Sequence, residues 1–174
     1  TSLTALYCNN NTLSVLDVTS NTLLESLWCD DNQISILNVA NNTAMKDLIV
    51  DNNDLTTIDV SANIFLELFF CQRNDLTSLD ISGNYFLQKI WCFDNQLTSL
   101  DIRNNNNQNI GTTFWDIDIT GNYSLFCVDV DNPGWSMMNW TVSNDCIDSW
   151  NTFSSNCGNT SNVIEESTTS KELL

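Results

Sequence analysis

Apolar residues recur along this chain every 21 residues. Leu3, Leu24, Met45, Leu66 and Leu87 share one column, and Leu6, Leu27, Leu48, Phe69 and Ile90 share a second. Cys8, Cys29, Val50, Cys71 and Cys92 follow two residues later, and Asn11, Asn32, Asn53, Asn74 and Asn95 form an unbroken polar column. The second half of each row repeats too. Leu13, Ile34, Leu55, Leu76 and Leu97 are followed by Leu16, Leu37, Ile58, Leu79 and Leu100, then by a phrase such as Asp59-Val60. Each row closes on Asn21, Asn42, Asn63, Asn84 and Asn105. Alternation in the first half predicts a short strand with its Leu and Cys positions inward. The rest of the turn has too few residues for a full helix, so a second short extended segment is expected there.

The spacing L-x-x-L-x-C-x-x-N-x-L is that of a leucine-rich repeat with Cys in one Leu position. Neighbouring turns bury each other's inward side chains, and a terminal unit must cover the last one. The predicted fold is mostly β, a right-handed solenoid of short parallel strands with a C-terminal cap. The Asn column is expected to turn the chain out of the strand while its amides satisfy backbone groups. Residues 1–121 read as five regular turns and one irregular turn, in which the Asp-Ile phrase returns at Asp118-Ile119. Residues 122–158, rich in Trp and Cys, read as the cap, and 159–174 as a linker.

Charge narrows the function. Five basic residues stand against 22 acidic ones, a formal charge of −17. Nothing here neutralises a row of phosphates, so nucleic acid is excluded as a partner, and no apolar run is long enough to insert in a membrane. The chain has no His, which removes Ser-His and Cys-His nucleophiles. No phosphate-binding loop appears, and a narrow solenoid offers no cleft to split the pKa values of two carboxylates. No enzyme, cofactor or metal is expected. The ladder cysteines read as small apolar core residues, because Val50 fills the same column.

The row with Cys resembles the cysteine-ladder repeats of the bacterial internalin type, and still more the leucine-rich-repeat proteins exported by the type IX secretion machinery. The resemblance rests on the Asn-rich turn Asn104–Ile110, on Asn122-Tyr123-Ser124-Leu125-Phe126-Cys127-Val128-Asp129-Val130-Asp131, on Asn139-Trp140-Thr141 and on Cys157. The ending Ser170-Lys171-Glu172-Leu173-Leu174 looks like the start of the sorting domain of such proteins. The resemblance implies a secreted or cell-surface binding protein. It also implies a Cys127–Cys157 disulfide, with Cys146 left over.

The candidate site is the outward side of the front strand. Tyr7, Trp28, Ile49, Phe70 and Trp91 stand between the inward positions as an apolar stripe, bordered by Asp30, Asp47, Asp51 and Asp94. Such a stripe marks a binding face. It suits a protein partner anchored by aromatics, a polysaccharide stacked on rings, or a second copy of the chain. A structural spacer remains as a bland reading. The hydroxyl pairs Thr56-Thr57, Thr77-Ser78 and Thr98-Ser99 raise ice or crystal-surface binding as a remote one. The acids at Asp17, Asp59, Asp80 and Asp101 are expected to cap turn amides rather than bind calcium.

Overall fold

A computed structural model describes residues 2–113 and 115–158. Ten short strands follow one another: β1 (Ala5–Tyr7), β2 (Ser26–Trp28), β3 (Asp47–Ile49), β4 (Leu68–Phe70), β5 (Ser78–Asp80), β6 (Lys89–Trp91), β7 (Ser99–Asp101), β8 (Ile117–Asp118), β9 (Cys127–Asp129) and β10 (Thr152–Ser154). They form two parallel sheets, ordered β1-β2-β3-β4-β6-β8 in front and β5-β7-β9-β10 behind. The fold is the expected parallel leucine-rich-repeat solenoid. The return path is extended, as the short turn requires.

Register follows the sequence period. Leu6 pairs with Leu27, Leu27 with Leu48, Leu48 with Phe69, and Phe69 with Ile90. From Leu24 onward the inward positions are sealed between turns: Leu27, Leu48, Phe69, Ile90, Cys29, Val50, Cys71 and Cys92 have no exposed surface. Burial of this kind contributes roughly 25 cal/mol per Å² of apolar surface. Five thiols are free, at Cys8, Cys29, Cys71, Cys92 and Cys146.

Two stacks of Asn side chains hold the corners. Asn53 Nδ2 donates to the carbonyls of Cys29 (3.0 Å), Val50 (3.1 Å) and Asp51 (3.1 Å), and its Oδ1 accepts from Ile34 N (2.9 Å). Asn32, Asn74 and Asn95 repeat this arrangement. At the other corner Asn63 Nδ2 donates to Val39 O and Asn42 O. The residue before each inner Asn has positive φ: Asn10, Asp31, Asn52, Arg73, Asp94 and, in the last turn, Gly121. Asn and Asp tolerate this region better than most residues. Each acid of the back phrase accepts the amide two residues on, as Asp59 does from Ser61 and Asp80 from Ser82, both at 2.9 Å. The turn-capping expectation therefore describes these acids.

The sixth turn differs from its expected reading. Ile117 pairs with Ile90 and Asp118 with Trp91, so Asp118-Ile119 belongs to the front sheet. The back phrase of this turn is Asp129-Val130, since Asp101 pairs with Asp129. Asn122 joins the inner stack, donating to Cys92 O (3.0 Å) and Ile119 O (2.9 Å). The extra residues lie between the Asn-rich turn and β8. There Asn104, not Asn105, makes the corner bond to Asn84 O, at 3.1 Å. Two-residue periodicity cannot tell a front Asp-Ile from a back one when the chain between them lengthens.

The back sheet runs past residue 121 into β9 and β10, and a short helix α1 (Pro133–Asn139) covers the end. Pro133 at its start and the Asn132 side chain, accepting from Trp135 N at 3.0 Å, set its first turn. Trp140 is fully buried, and its Nε1 donates to Gly111 O at 3.1 Å. Cys127 and Cys157 are joined by a disulfide that ties β9 to the segment after β10. The expected linker 159–174 lies outside the described residues.

Candidate functional site

The stripe positions form one column along the front sheet: Tyr7 pairs with Trp28, Trp28 with Ile49, Ile49 with Phe70, and Phe70 with Trp91. Inward Leu and Phe neighbours leave these side chains outward by strand alternation. Exposure falls along the column. Tyr7 is 60% and Trp28 40% exposed, while Ile49, Phe70 and Trp91 are half-buried. Ile49 divides the aromatics into two pairs. Tyr7 and Trp28 meet edge to face at 5.0 Å. Phe70 and Trp91 stack at 4.3 Å with an interplanar angle of 11°.

The sequence column ends at Trp91, but the aromatic surface does not. Trp115, 59% exposed, lies 6.2 Å from Trp91, and Phe93 lies 6.3 Å from it on another side. Trp115 sits in the lengthened sixth turn, outside the period, so no repeat alignment could place it beside Trp91. Asp118 occupies the stripe position of the last rung. Burial raises its pKa, with Asp94 and Asp148 adding repulsion against the pull of Thr120.

The bordering acids do not all join the stripe. Asp47 is in β3, between Ser26 and Leu68 in the outward column on the N-terminal side of the stripe. It borders a shallow hollow of about 280 Å³ with Ala5, Ser26, Glu25 and Lys46. Asp30 and Asp51 occupy the outward column on the C-terminal side. Burial, then repulsion from Asp30, pushes Asp51 up to about 6. Asp30 is itself raised, chiefly by burial. Asp94 is at the positive-φ corner, 3.8 Å from Arg73 Nε, and so stands off the stripe as half of an ion pair.

A second aromatic surface escaped the sequence reading. Phe65 and Phe86, at 48% and 53% exposure, touch at 5.8 Å on the turns leading into β4 and β6. Ile64 and Tyr85 are exposed beside them. The column Leu23, Ala44, Phe65, Phe86 was visible in the 21-residue alignment, but only two of its members are aromatic. Among the described residues no three His, Cys, Asp or Glu side chains are placed to hold a metal ion, and no helix is long and apolar enough to cross a membrane.

No protein-family model matches the chain, and no curated protein is similar to it. Among solved structures it is similar to the functional domain of InlJ from Listeria monocytogenes, which includes a cysteine ladder. The TM-score is 0.57 and the identity 26%, over 75% of this chain. The chain spans only 38% of the length of that relative. With the register above, this likeness supports an internalin-like leucine-rich-repeat solenoid built on a cysteine ladder.

Proposed function

We propose that this chain is a non-catalytic recognition module of the cell exterior that binds a protein partner through the front face of the solenoid. The observation that carries this reading is the aromatic surface from Tyr7 to Trp115, partly exposed on a rigid sheet and edged by carboxylates. Large, pre-ordered aromatic side chains lose little entropy on binding and serve as anchors. A rigid scaffold also keeps the cost of ordering the interface low.

The ring geometry favours protein over polysaccharide. Sugar stacking needs an open ring face, and Phe70 and Trp91 cover one of each other's faces. The T-shaped pair leaves an open face at Tyr7 or Trp28, and Trp115 is open at the other end. Half-buried Ile49, Phe70 and Trp91 lie between them and interrupt the run of ring faces a glycan chain would follow. The test is binding of the chain to a panel of surface proteins and soluble polysaccharides, repeated with Trp28→Ala/Trp115→Ala. A protein hit that the variant weakens supports the reading. A glycan hit lost in the same variant replaces it with the polysaccharide reading, and a panel-wide silence favours a spacer.

A further inference from the structure

Every Lys and Arg among the described residues is already engaged. Lys46 Nζ lies 2.7 Å from Glu25, Lys89 Nζ 3.6 Å from Asp116, and Arg103 Nη2 2.5 Å from Asp101. Arg73 Nε is 3.8 Å from Asp94, and its guanidinium carbon stands 5.4 Å over the Phe93 ring. Arg73 is thus held toward the last turns, on the side away from Asp30 and Asp51. Those two half-buried carboxylates, on neighbouring rungs, form no ion pair among the described residues, and Arg73 acts on Asp51 only as the smallest of the influences on its charge.

The next rung supplies an independent sign. Backbone bonds from Asp31 N to Asp51 O and from Asn52 N to Gln72 O, both 3.0 Å, keep Asp30, Asp51 and Gln72 in successive turns. Inward Cys71 leaves Gln72 on the same outward side as Asp51. Gln72 is only 5% exposed, and its Oε1 is buried with no hydrogen-bond partner. A buried acceptor without a donor costs about 1–3 kcal/mol. The column therefore carries two half-buried carboxylates and the unpartnered amide oxygen of Gln72, beside the partly open Trp28 ring.

We propose that Asp30, Asp51 and Gln72 form a seat for the guanidinium of an arginine side chain on the protein partner. The proposal deepens the front-face reading and rests on it. Adjacent rungs are about 4.8 Å apart, a spacing that a planar fork of five donors bridges and a point-like ammonium does not. The guanidinium also stacks on aromatic rings, and Trp28 precedes Asp30 by two residues on the same face. A divalent metal is the poorer occupant, because among the described residues no third carboxylate, His or Cys side chain is placed to complete its ligands.

The test titrates the full 174-residue chain with two fluorescent peptides, octa-arginine and octa-lysine, which carry equal charge. Comparison is with Asp30→Asn/Asp51→Asn and with Asp54→Asn/Asp145→Asn, which removes two exposed acids elsewhere on the chain. The seat predicts about tenfold tighter binding of the arginine peptide, of the order of one bidentate charge-assisted pair. That preference disappears in the first variant, persists in the second, and falls several-fold in Gln72→Met. Equal losses in both double variants, or equal affinity for the two peptides, would mean that only the general negative field of the chain attracts cations. Calcium chloride alone binding with dependence on Asp51 would assign the column to a metal instead. Either result overturns the proposal. The front-face reading is judged separately by Trp28→Ala/Trp115→Ala against the partner. A lost arginine preference with an intact aromatic effect sinks the seat alone; an arginine preference with no aromatic effect sinks the front-face reading and, with it, the assignment of the seat to that partner.

Discussion

The rings of Phe70 and Trp91 lie 4.3 Å apart and nearly parallel, so each shields a face of the other. The relationship separates two roles within one stripe. Trp91 is half-buried and contacts Phe93 and Trp115 as well. Trp28 is more exposed and touches Tyr7 only edge to face. Trp91→Ala is expected to lower stability by about 3 kcal/mol, and Trp28→Ala by about 1 kcal/mol or less. Urea denaturation of the two variants measures this. Equal losses would mean that the stacked pair contributes no more to the fold than the exposed one.

Asn53 joins four backbone groups from four different residues with one side chain. Asn53→Asp keeps the acceptor and removes three donated bonds, leaving carbonyls facing a carboxylate. A loss on the order of 3 kcal/mol is expected, large for a polar change of equal size. Thermal unfolding checks it, and a shift of less than about a degree would show that the stack is decorative.

Asp51 titrates in an unusual range because burial and Asp30 oppose its charge. Its folded pKa of about 6 stands above the ordinary 3.8. The folded state therefore favours the protonated form. That contribution is complete below the unfolded pKa and is lost as pH rises through about 6. Wild type should lose stability between pH 4 and 7 relative to Asp51→Asn. The variant is expected to gain about 1 kcal/mol at pH 7, after discounting for the part-exposed position. A difference that stays constant from pH 4 to 7 would contradict the shift.

The sulfur ladder is a packing device. Val50 occupies it without loss of burial, so Cys71→Val should change stability by less than about 1 kcal/mol. Cys71→Ser should cost about 1–3 kcal/mol, since its hydroxyl is buried in an apolar column. Cys29, pushed up to about 12 chiefly by burial, should stay unlabelled by a thiol reagent at pH 8 until the chain unfolds. Labelling of Cys29 in native chain at the rate of an exposed thiol would contradict the burial.

Much of this fold was legible because each side chain in a repeat makes the same contact one turn later. The inward columns, the inner Asn stack and the turn-capping acids follow from that translation alone. The stripe from Tyr7 to Trp91 followed from strand alternation. What the period could not place lies where it breaks. Asp118-Ile119 resembles the back phrase by composition, but Asp118 pairs with Trp91 in front, next to the pair of Ile117 with Ile90. Trp115 reaches the stripe across the lengthened turn. Helix α1 has only seven residues, too few for a periodic signal. Asp94 stands one residue past the column of Asp30 and Asp51, where its positive-φ backbone and the nearby Arg73 make it half of an ion pair.

The most direct measurement compares two aromatic surfaces of the same chain against a captured protein partner. One variant, Trp28→Ala/Trp115→Ala, strips the front face; the other, Phe65→Ala/Phe86→Ala, strips the turn edge. The front face as binding site predicts at least about a tenfold loss of affinity in the first variant and little change in the second. Full affinity in the first variant, with loss in the second, would contradict the account and move the site to the turn edge.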